Sequence, residues 1–454
     1  LLLLQKLLYE SLPLVGRSHR HYYQSVRPQL PRYPFDNSRI SILSSMPRIS
    51  PRWILGLILS LAALLRFWNL GTPATLVFDE VYYVDGARDY LLSGVELTNG
   101  KAEFIVHPPL GKWLIAIGIA LFGDNSTGWR VIAALFGILS IALIYLVARR
   151  LFNSEYLGLI AAGLMTIDGL HLVMSRTALL DIFLMFFLLA AFLALLYEKH
   201  LLVAVSLGLA LATKWSALYF ILAIGIYLLI TNWKKLIYYI PTIPIIYLTS
   251  WSGWFLSDKG WSRDYSNNSI LSFIHYHREI LNFHTGLKTD HSYEARAWNW
   301  LLLGRPTSFF YESPKTCGAE NCSQEILAMG TPIIWWFGLI ALALTIGYFI
   351  SRREKVAGLI LLGLLANYLP WLLFPERTTF YFYAIAFFPF LVLAICYSIK
   401  IYLEDENKRI KRTQTVNVAL GLTALIFAYF APVYLAIVLT YDDWFARMWL
   451  PSWI

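Results

Sequence analysis

Charge is what this sequence has least of. Only 14% of its 454 residues are Asp, Glu, Lys or Arg, against about a quarter in an ordinary soluble domain. A chain so poor in charge cannot dress a water-facing surface, and 58% of it is hydrophobic. Cysteine is nearly absent too. Cys317, Cys322 and Cys396 are the three present, too few for a disulfide-built scaffold. No glycine-rich loop joins a strand to a helix, so nothing points to a soluble nucleotide donor. No repeat of 20–50 residues and no inverted symmetry between the halves is visible, which speaks against a solenoid and against the common transporter plan. No cleavable leader is evident, and the first apolar run is read as an uncleaved anchor.

What the chain has in abundance is apolar runs of the length that crosses a bilayer, about 17–25 residues. Eleven are expected, at 53–69, 128–148, 155–173, 180–197, 201–213, 216–231, 236–256, 332–350, 356–374, 379–399 and 416–440. The expected fold class is an all-α polytopic membrane protein with about eleven transmembrane helices. The net charge of +9 then reflects basic cytoplasmic loops rather than a nucleic-acid partner. With the N-terminus inside, the inner stretches 148–150, 198–200, 232–235, 351–355 and 400–412 all carry Lys or Arg. The short outer loops carry one basic residue each: Arg176, Lys214 and Arg377.

Residues 1–50, polar, basic and proline-rich, are expected to be a disordered cytoplasmic tail, with Met46 as the true start. Residues 51–454 are expected to form the transmembrane domain. Two long outer segments follow from this topology, 70–127 and 257–331, the second a polar loop rich in Trp, His and Tyr. The run at 113–123 is too short to span and is expected to lie on the outer surface.

The three outer basic residues are the ones that topology does not ask for. Arg130, at the outer end of the second span, makes a fourth cation. Asp79, Glu80 and Asp181 stand opposite them on the same face. Singly, each cation could be a side chain snorkelling to lipid phosphates, and the two adjacent acids could cap the helix that starts at "DEVYY". Together they suit a group transfer. Cations at the lipid boundary hold a phosphate and stabilise charge developing on it as it leaves. A neighbouring carboxylate takes the proton of a hydroxyl acceptor. His284 and His291 are seven residues apart with no obvious third ligand, and no metal site is expected.

Longer motifs sharpen this. "FDEVYY" (78–83), "HPPLGKW" (107–113), "GWRVIAALFG" (128–137), "DGLHLVMSRTALLDIFLMFF" (168–187), "ATKWSALYF" (212–220), "NYLPWLLF" (367–374) and "ERTTFYFYAIAFFPF" (376–390) closely resemble the bacterial protein O-mannosyltransferases, of the GT-C class. The resemblance covers nearly everything after residue 50. It implies inverting transfer of mannose from a polyprenyl-phosphate-mannose to Ser or Thr of a protein, on the outer side of a plasma membrane, without a metal or other cofactor. Expected partners are the lipid-linked donor, the acceptor protein, the bilayer and the secretion translocon. On that pattern Asp79 is the general base and Glu80 orients the acceptor or the sugar. Arg130 and Lys214 hold the donor phosphate, joined by Arg377. Asp181 and Arg176 pair to shape the site, and His107 opens a stiff "HPP" turn toward it. Cys317 and Cys322 are expected to form a disulfide if they lie outside the membrane. Residues 257–331 are too few for the β-trefoil of eukaryotic members. Two other readings stay open: a sister GT-C enzyme moving another sugar, such as aminoarabinose, to a lipid or glycan, and a secondary transporter.

Overall fold

In hydrocarbon no water can satisfy a bare N–H or C=O, so apolar runs close their hydrogen bonds within themselves as helices. The computed structural model describes residues 50–454, and helices dominate it. The expected tail, Ser50 apart, and a start at Met46 lie outside the described residues.

Helix α1 (Pro51–Phe67) begins on a proline, whose missing N–H falls where a helix has no partner for it. The first outer segment then folds as α2 (Glu80–Ser93), a small hairpin of β1 (Leu97–Thr98) and β2 (Lys101–Ala102), and α3 (Leu110–Phe122). The surface run expected at 113–123 is this third helix. Next comes α4 (Ser126–Phe152). The Asn125 side chain accepts from the N–H groups of Thr127 and Gly128 at its start, and Asn153 closes its end at φ 50, the usual devices at both termini. A run of helices follows: α5 (Glu155–Thr166), α6 (Gly169–Met174), α7 (Asp181–Leu196), α8 (His200–Thr213), α9 (Ala217–Thr231), α10 (Leu236–Ser250) and α11 (Ser252–Leu256).

The second outer segment is more ordered than the polar loop expected there. Asn268 caps α12 (Ser269–Gly286) by accepting from the Ile270 N–H. The buried face of α12, with Tyr276 and Ile280, packs on Trp251 and Trp254. Beyond it, β3 (Thr307–Glu312) and β4 (Cys322–Ala328) pair antiparallel. Cys317 and Cys322 form a disulfide at this hairpin. The chain then returns through α13 (Pro332–Arg352), α14 (Lys355–Tyr368), α15 (Phe388–Tyr402) and α16 (Arg409–Tyr434). Strand β5 (Leu439–Thr440) adds to β4, and a short α17 (Tyr441–Phe445) follows.

Each expected span falls on a helix or on two consecutive helical stretches. Four are long and apolar enough to cross a membrane: Ser126–Phe152, Pro332–Arg352, Lys355–Leu373 and Glu406–Tyr434. The other seven of the eleven are shorter helices or helix pairs. Inside the bundle α4 packs on α5 and α7, α7 on α8, and α8 on α10. The outer helix α3 reaches α4 at a point of backbone contact. A Cβ on Gly118 would strike the Gly128 carbonyl, and one on Gly128 would strike that of Gly123. These glycines bring the outer segment down onto the bundle. Gly128→Ala is therefore expected to cost about 1–3 kcal/mol through overpacking, read as a lower thermal midpoint in detergent.

Candidate active site

The site begins at a four-residue turn, Val77 to Glu80. The Glu80 N–H donates to the Val77 carbonyl at 3.0 Å, and the Glu80 carboxylate accepts from the Val77 N–H at 3.0 Å. The same carboxylate accepts two bonds from Arg130, each 2.8 Å, and one from the Ala178 N–H at 2.8 Å. Glu80 is fully buried. All four of these donors are groups of the protein, so the Glu80 carboxylate ties the turn to Arg130 and to the loop before α7. Adjacent residues of a helix point about 100° apart, which lets Asp79 face elsewhere.

The expected role of Arg130 is corrected. Its five N–H donors are spent on Glu80 and on the carbonyls of Leu70, Pro73 and Thr75. None is left for a phosphate. Arg176 does not pair with Asp181. It donates to the carbonyls of Leu65, Arg66, Trp68 and Asn69, which end α1 and have no helical partner of their own. A cation there also meets the negative end of the helix dipole. Two of the four cations are thus clamps beneath the segment 70–127.

Of the other two, Lys214 stands with an acid. Asp181 begins α7, and Lys214 ends α8. The Lys214 ammonium donates to both Asp181 oxygens at 2.9 Å, and both groups are buried. The same ammonium sits 4.4 Å from the centre of the Tyr383 ring. Asp181, Lys214, Tyr219, Asn367, Trp371 and Tyr383 line a small cleft. Arg377 lies over Trp371 at 5.4 Å and donates to the carbonyls of His284 and Thr378. Among the described residues Arg377 pairs with no carboxylate, so its charge is free to meet an anion.

Asp79 heads α2 but makes no side-chain cap, so capping does not account for it. Burial raises its carboxyl from 3.8 to about 6. The Lys214 ammonium opposes the rise, Asp181 adds to it, and a hydrogen bond from Tyr83 opposes it. Tyr83 follows one helical turn later, at i+4 on the same face.

Two imidazoles complete the surroundings. His107 lies 5.4 Å from His284 and 6.0 Å from Tyr83, ring centre to ring centre. The His284 Nε2 donates to the Val106 carbonyl at 2.8 Å. A carbonyl only accepts, so Nε2 carries the proton and Nδ1 is left to accept from Arg377 at 3.4 Å. Burial holds His107 well below the usual histidine range and His284 down at about 4, helped by the nearby Lys214 and Arg377 charges. Both rings are neutral at pH 7, and the buried His107 Nδ1 has no hydrogen-bond partner. His291 does not join these two rings; it lies edge-on to Phe380 at 5.0 Å. Tyr83, Asn367, Trp371 and Tyr383 were not singled out from the sequence. Of these, only Tyr83 carried a legible signal, its spacing from Asp79.

The likeness to solved structures defines the class. The S. cerevisiae protein O-mannosyltransferase Pmt1-Pmt2 complex bound to the sugar donor matches with a TM-score of 0.76 at 15% identity, over 91% of this chain and 94% of its own. ArnT from Cupriavidus metallidurans bound to undecaprenyl phosphate matches with a TM-score of 0.57 at 16% identity, over 86% and 77%. The fold is that of the polytopic GT-C glycosyltransferases.

Family models narrow it. "Dolichyl-phosphate-mannose-protein mannosyltransferase" models match residues 56–129 and 106–254, and the "C-terminal four TMM region of protein-O-mannosyltransferase" matches 269–453. A polyprenol-phosphate-mannose–protein mannosyltransferase of Mycolicibacterium smegmatis is 32% identical over 87% of this chain and 92% of its own. The chain belongs to the protein O-mannosyltransferase family and is a membrane glycosyltransferase.

The two kinds of cation predict different losses. Arg130→Ala strands a buried carboxylate and is expected to cost about 3–5 kcal/mol of stability. Arg377→Ala breaks hydrogen bonds to a neutral backbone and is expected to cost about 1 kcal/mol. Thermal unfolding of the purified variants in detergent reads both.

Proposed function

We propose that this chain transfers mannose from a polyprenyl-phosphate-mannose to Ser or Thr hydroxyls of proteins on the extracytoplasmic face of a plasma membrane. Its eleven helical stretches then cross the bilayer, with the N-terminus cytoplasmic. The single observation that supports this most is the state of Asp79. It is a half-buried carboxylate with no structural duty, held at about 6 and set beside an ion-paired lysine. A general base is most effective when it titrates near the working pH.

In the proposed step the acceptor hydroxyl gives its proton to Asp79 as its oxygen bonds to the anomeric carbon. The bond from that carbon to the phosphate oxygen breaks on the opposite face, which inverts the centre. The electron pair leaves with the polyprenyl phosphate. Lys214 and Arg377 stand where that growing negative charge needs them. Asp181 keeps the Lys214 ammonium charged and aimed. His107 offers its buried, unpartnered Nδ1, and His284 holds Arg377 through Nδ1; being neutral, neither adds a charge that would compete with the base.

A second reading, transfer of aminoarabinose, draws on a 39% identity over 24% of this chain to an undecaprenyl phosphate-alpha-4-amino-4-deoxy-L-arabinose arabinosyl transferase of Pseudomonas fluorescens. Donor identity separates the two. Radiolabelled polyprenyl-phosphate-mannose given to the purified protein is expected to label a Ser/Thr peptide, and an unlabelled peptide would favour the rival. Asp79→Asn is expected to lower turnover by about 10²–10⁴-fold.

The pH profile follows from the same group. Its pKa is raised and it works in the ionised form. Activity (kcat/KM) is therefore expected to be full above pH 7 and to fall about tenfold per unit below about 6. A flat profile from pH 5 to 8 would count against Asp79.

A further inference from the structure

The residue just before the proposed base holds a backbone conformation that its side chain disfavours. Phe78 has a φ of 46°, in the left-handed region where a Cβ crowds the following carbonyl. Nine non-glycine residues among the described ones have a positive φ, and Phe78 is the one aromatic among them. It occupies the first central position of the turn closed by Glu80 onto Val77. Turns with a positive φ there are dominated by Gly, Asn and Asp. Asp79 follows at φ −68°, ψ −4°, so its direction is inherited from Phe78.

Something must hold Phe78 in that state. Its ring stacks on Phe309 with centres 4.8 Å apart and planes 17° from parallel. Phe380 and Phe382 meet it edge-on at 5.5 and 5.6 Å, and His291 does so at 6.2 Å. Stacked and edge-to-face pairs at these spacings are mutually favourable. The partners come from three places far apart in the chain: the loop after α12, strand β3, and the stretch between α14 and α15. Residues kept in sparsely populated backbone regions persist where their surroundings over-determine them, and they gather at active sites.

We propose that Phe78 is a positioning residue. Its ring is a plug seated in an aromatic cage, and the seated plug holds the turn in the one backbone state that aims Asp79 at the donor and acceptor. The inference rests on Asp79 being the base, and it assigns the second outer segment a part in the reaction. That segment supplies Phe309 and His291, so its docking and the aim of the base are one event.

The test uses the full chain, purified and assayed with polyprenyl-phosphate-mannose and a Ser/Thr peptide. Phe78→Ala removes the plug and keeps the Cβ, so the turn relaxes. The expected loss is about 100-fold in kcat, the scale of a small misplacement of a reacting group, with the KM for the lipid donor changed less than about threefold. Phe78→Gly also removes the plug, but glycine takes a positive φ at no steric cost. It is expected to recover about tenfold in kcat over Phe78→Ala. A mere packing role predicts the opposite order, because glycine loses more chain entropy on folding than alanine. Glycine at or below alanine, or both at wild-type kcat, overturns the proposal. If neither variant folds, Phe309→Leu loosens the cage without touching the turn. It is expected to lower kcat about tenfold, and an unchanged kcat there overturns the proposal too. Asp79→Asn assayed beside them keeps the two ideas apart. Full activity in that variant would remove the base itself, whereas a dead Asp79→Asn beside a fully active Phe78→Ala would remove only the plug.

Discussion

Glu80 and Arg130 form an ion pair with both partners out of reach of solvent. Removing two charges from water is expensive, and only good geometry with every remaining donor and acceptor engaged offsets it. Both partners meet that condition. Glu80 accepts four hydrogen bonds, and Arg130 donates through all of its N–H groups. Those bonds run to the loop after α1, to the turn at Val77, to the head of α4 and to the loop before α7. A pair of this kind adds little net stability over a well-packed apolar substitute. What it provides here is a single arrangement. Four segments are held at one point, and Asp79 is the next residue along from that point.

The division of labour among the cations follows from the same energetics. An arginine has five donors in a rigid fork and keeps its charge when buried. Arg130 and Arg176 use that fork to gather carbonyls that would otherwise be orphaned at the end of α1 and in the loop after it. A lysine is a compact charge on a flexible stem. Lys214 is aimed instead by Asp181 on one side and the Tyr383 ring on another. Arg377 differs from Arg176, whose carbonyl partners are at the end of α1. It bonds to the carbonyls of His284 and Thr378 and to one imidazole nitrogen, and it lies over Trp371, which lines the cleft.

The sequence carried the helices well, because lipid-length apolar runs leave the backbone few choices. It marked Arg130, Arg176, Lys214 and Arg377 for attention, because lone bases at one set of span ends are visible without a structure. It did not show which of them are clamps. Arg130 and Lys214 read alike as lone bases at span ends, and only the neighbouring carbonyls tell them apart. The Asp-Glu pair was legible as a pair, and the helical offset of neighbours already implied that one acid could be structural. The second outer segment was the poorest reading. Its helix is amphipathic with aromatic rather than aliphatic contacts, and its hairpin is stabilised by a strand more than a hundred residues later. Phe78 left no trace in composition or spacing, since a backbone angle set by remote aromatic rings is a purely tertiary fact.

Charge accounting around the cleft gives the proposed reaction a physical economy of motion. Before transfer, Lys214 faces Asp181 and lies near an ionised Asp79, while the Arg377 charge has no carboxylate partner among the described residues. The donor phosphate, joined to two carbons, brings one negative charge. When the acceptor proton reaches Asp79, one carboxylate charge disappears at the moment the phosphate gains its second. The two cations are then opposed by Asp181 alone and turn to the leaving group without moving. In a site of low effective dielectric, a shift of that kind is worth more than it would be in water. It requires the base and the cations to be neighbours. The influence of Lys214 and Asp181 on the Asp79 carboxyl reflects that same proximity. The raised pKa of Asp79 and the stabilisation of the departing phosphate then come from one arrangement of charge, which a turn, a buried ion pair and an aromatic cage keep in place.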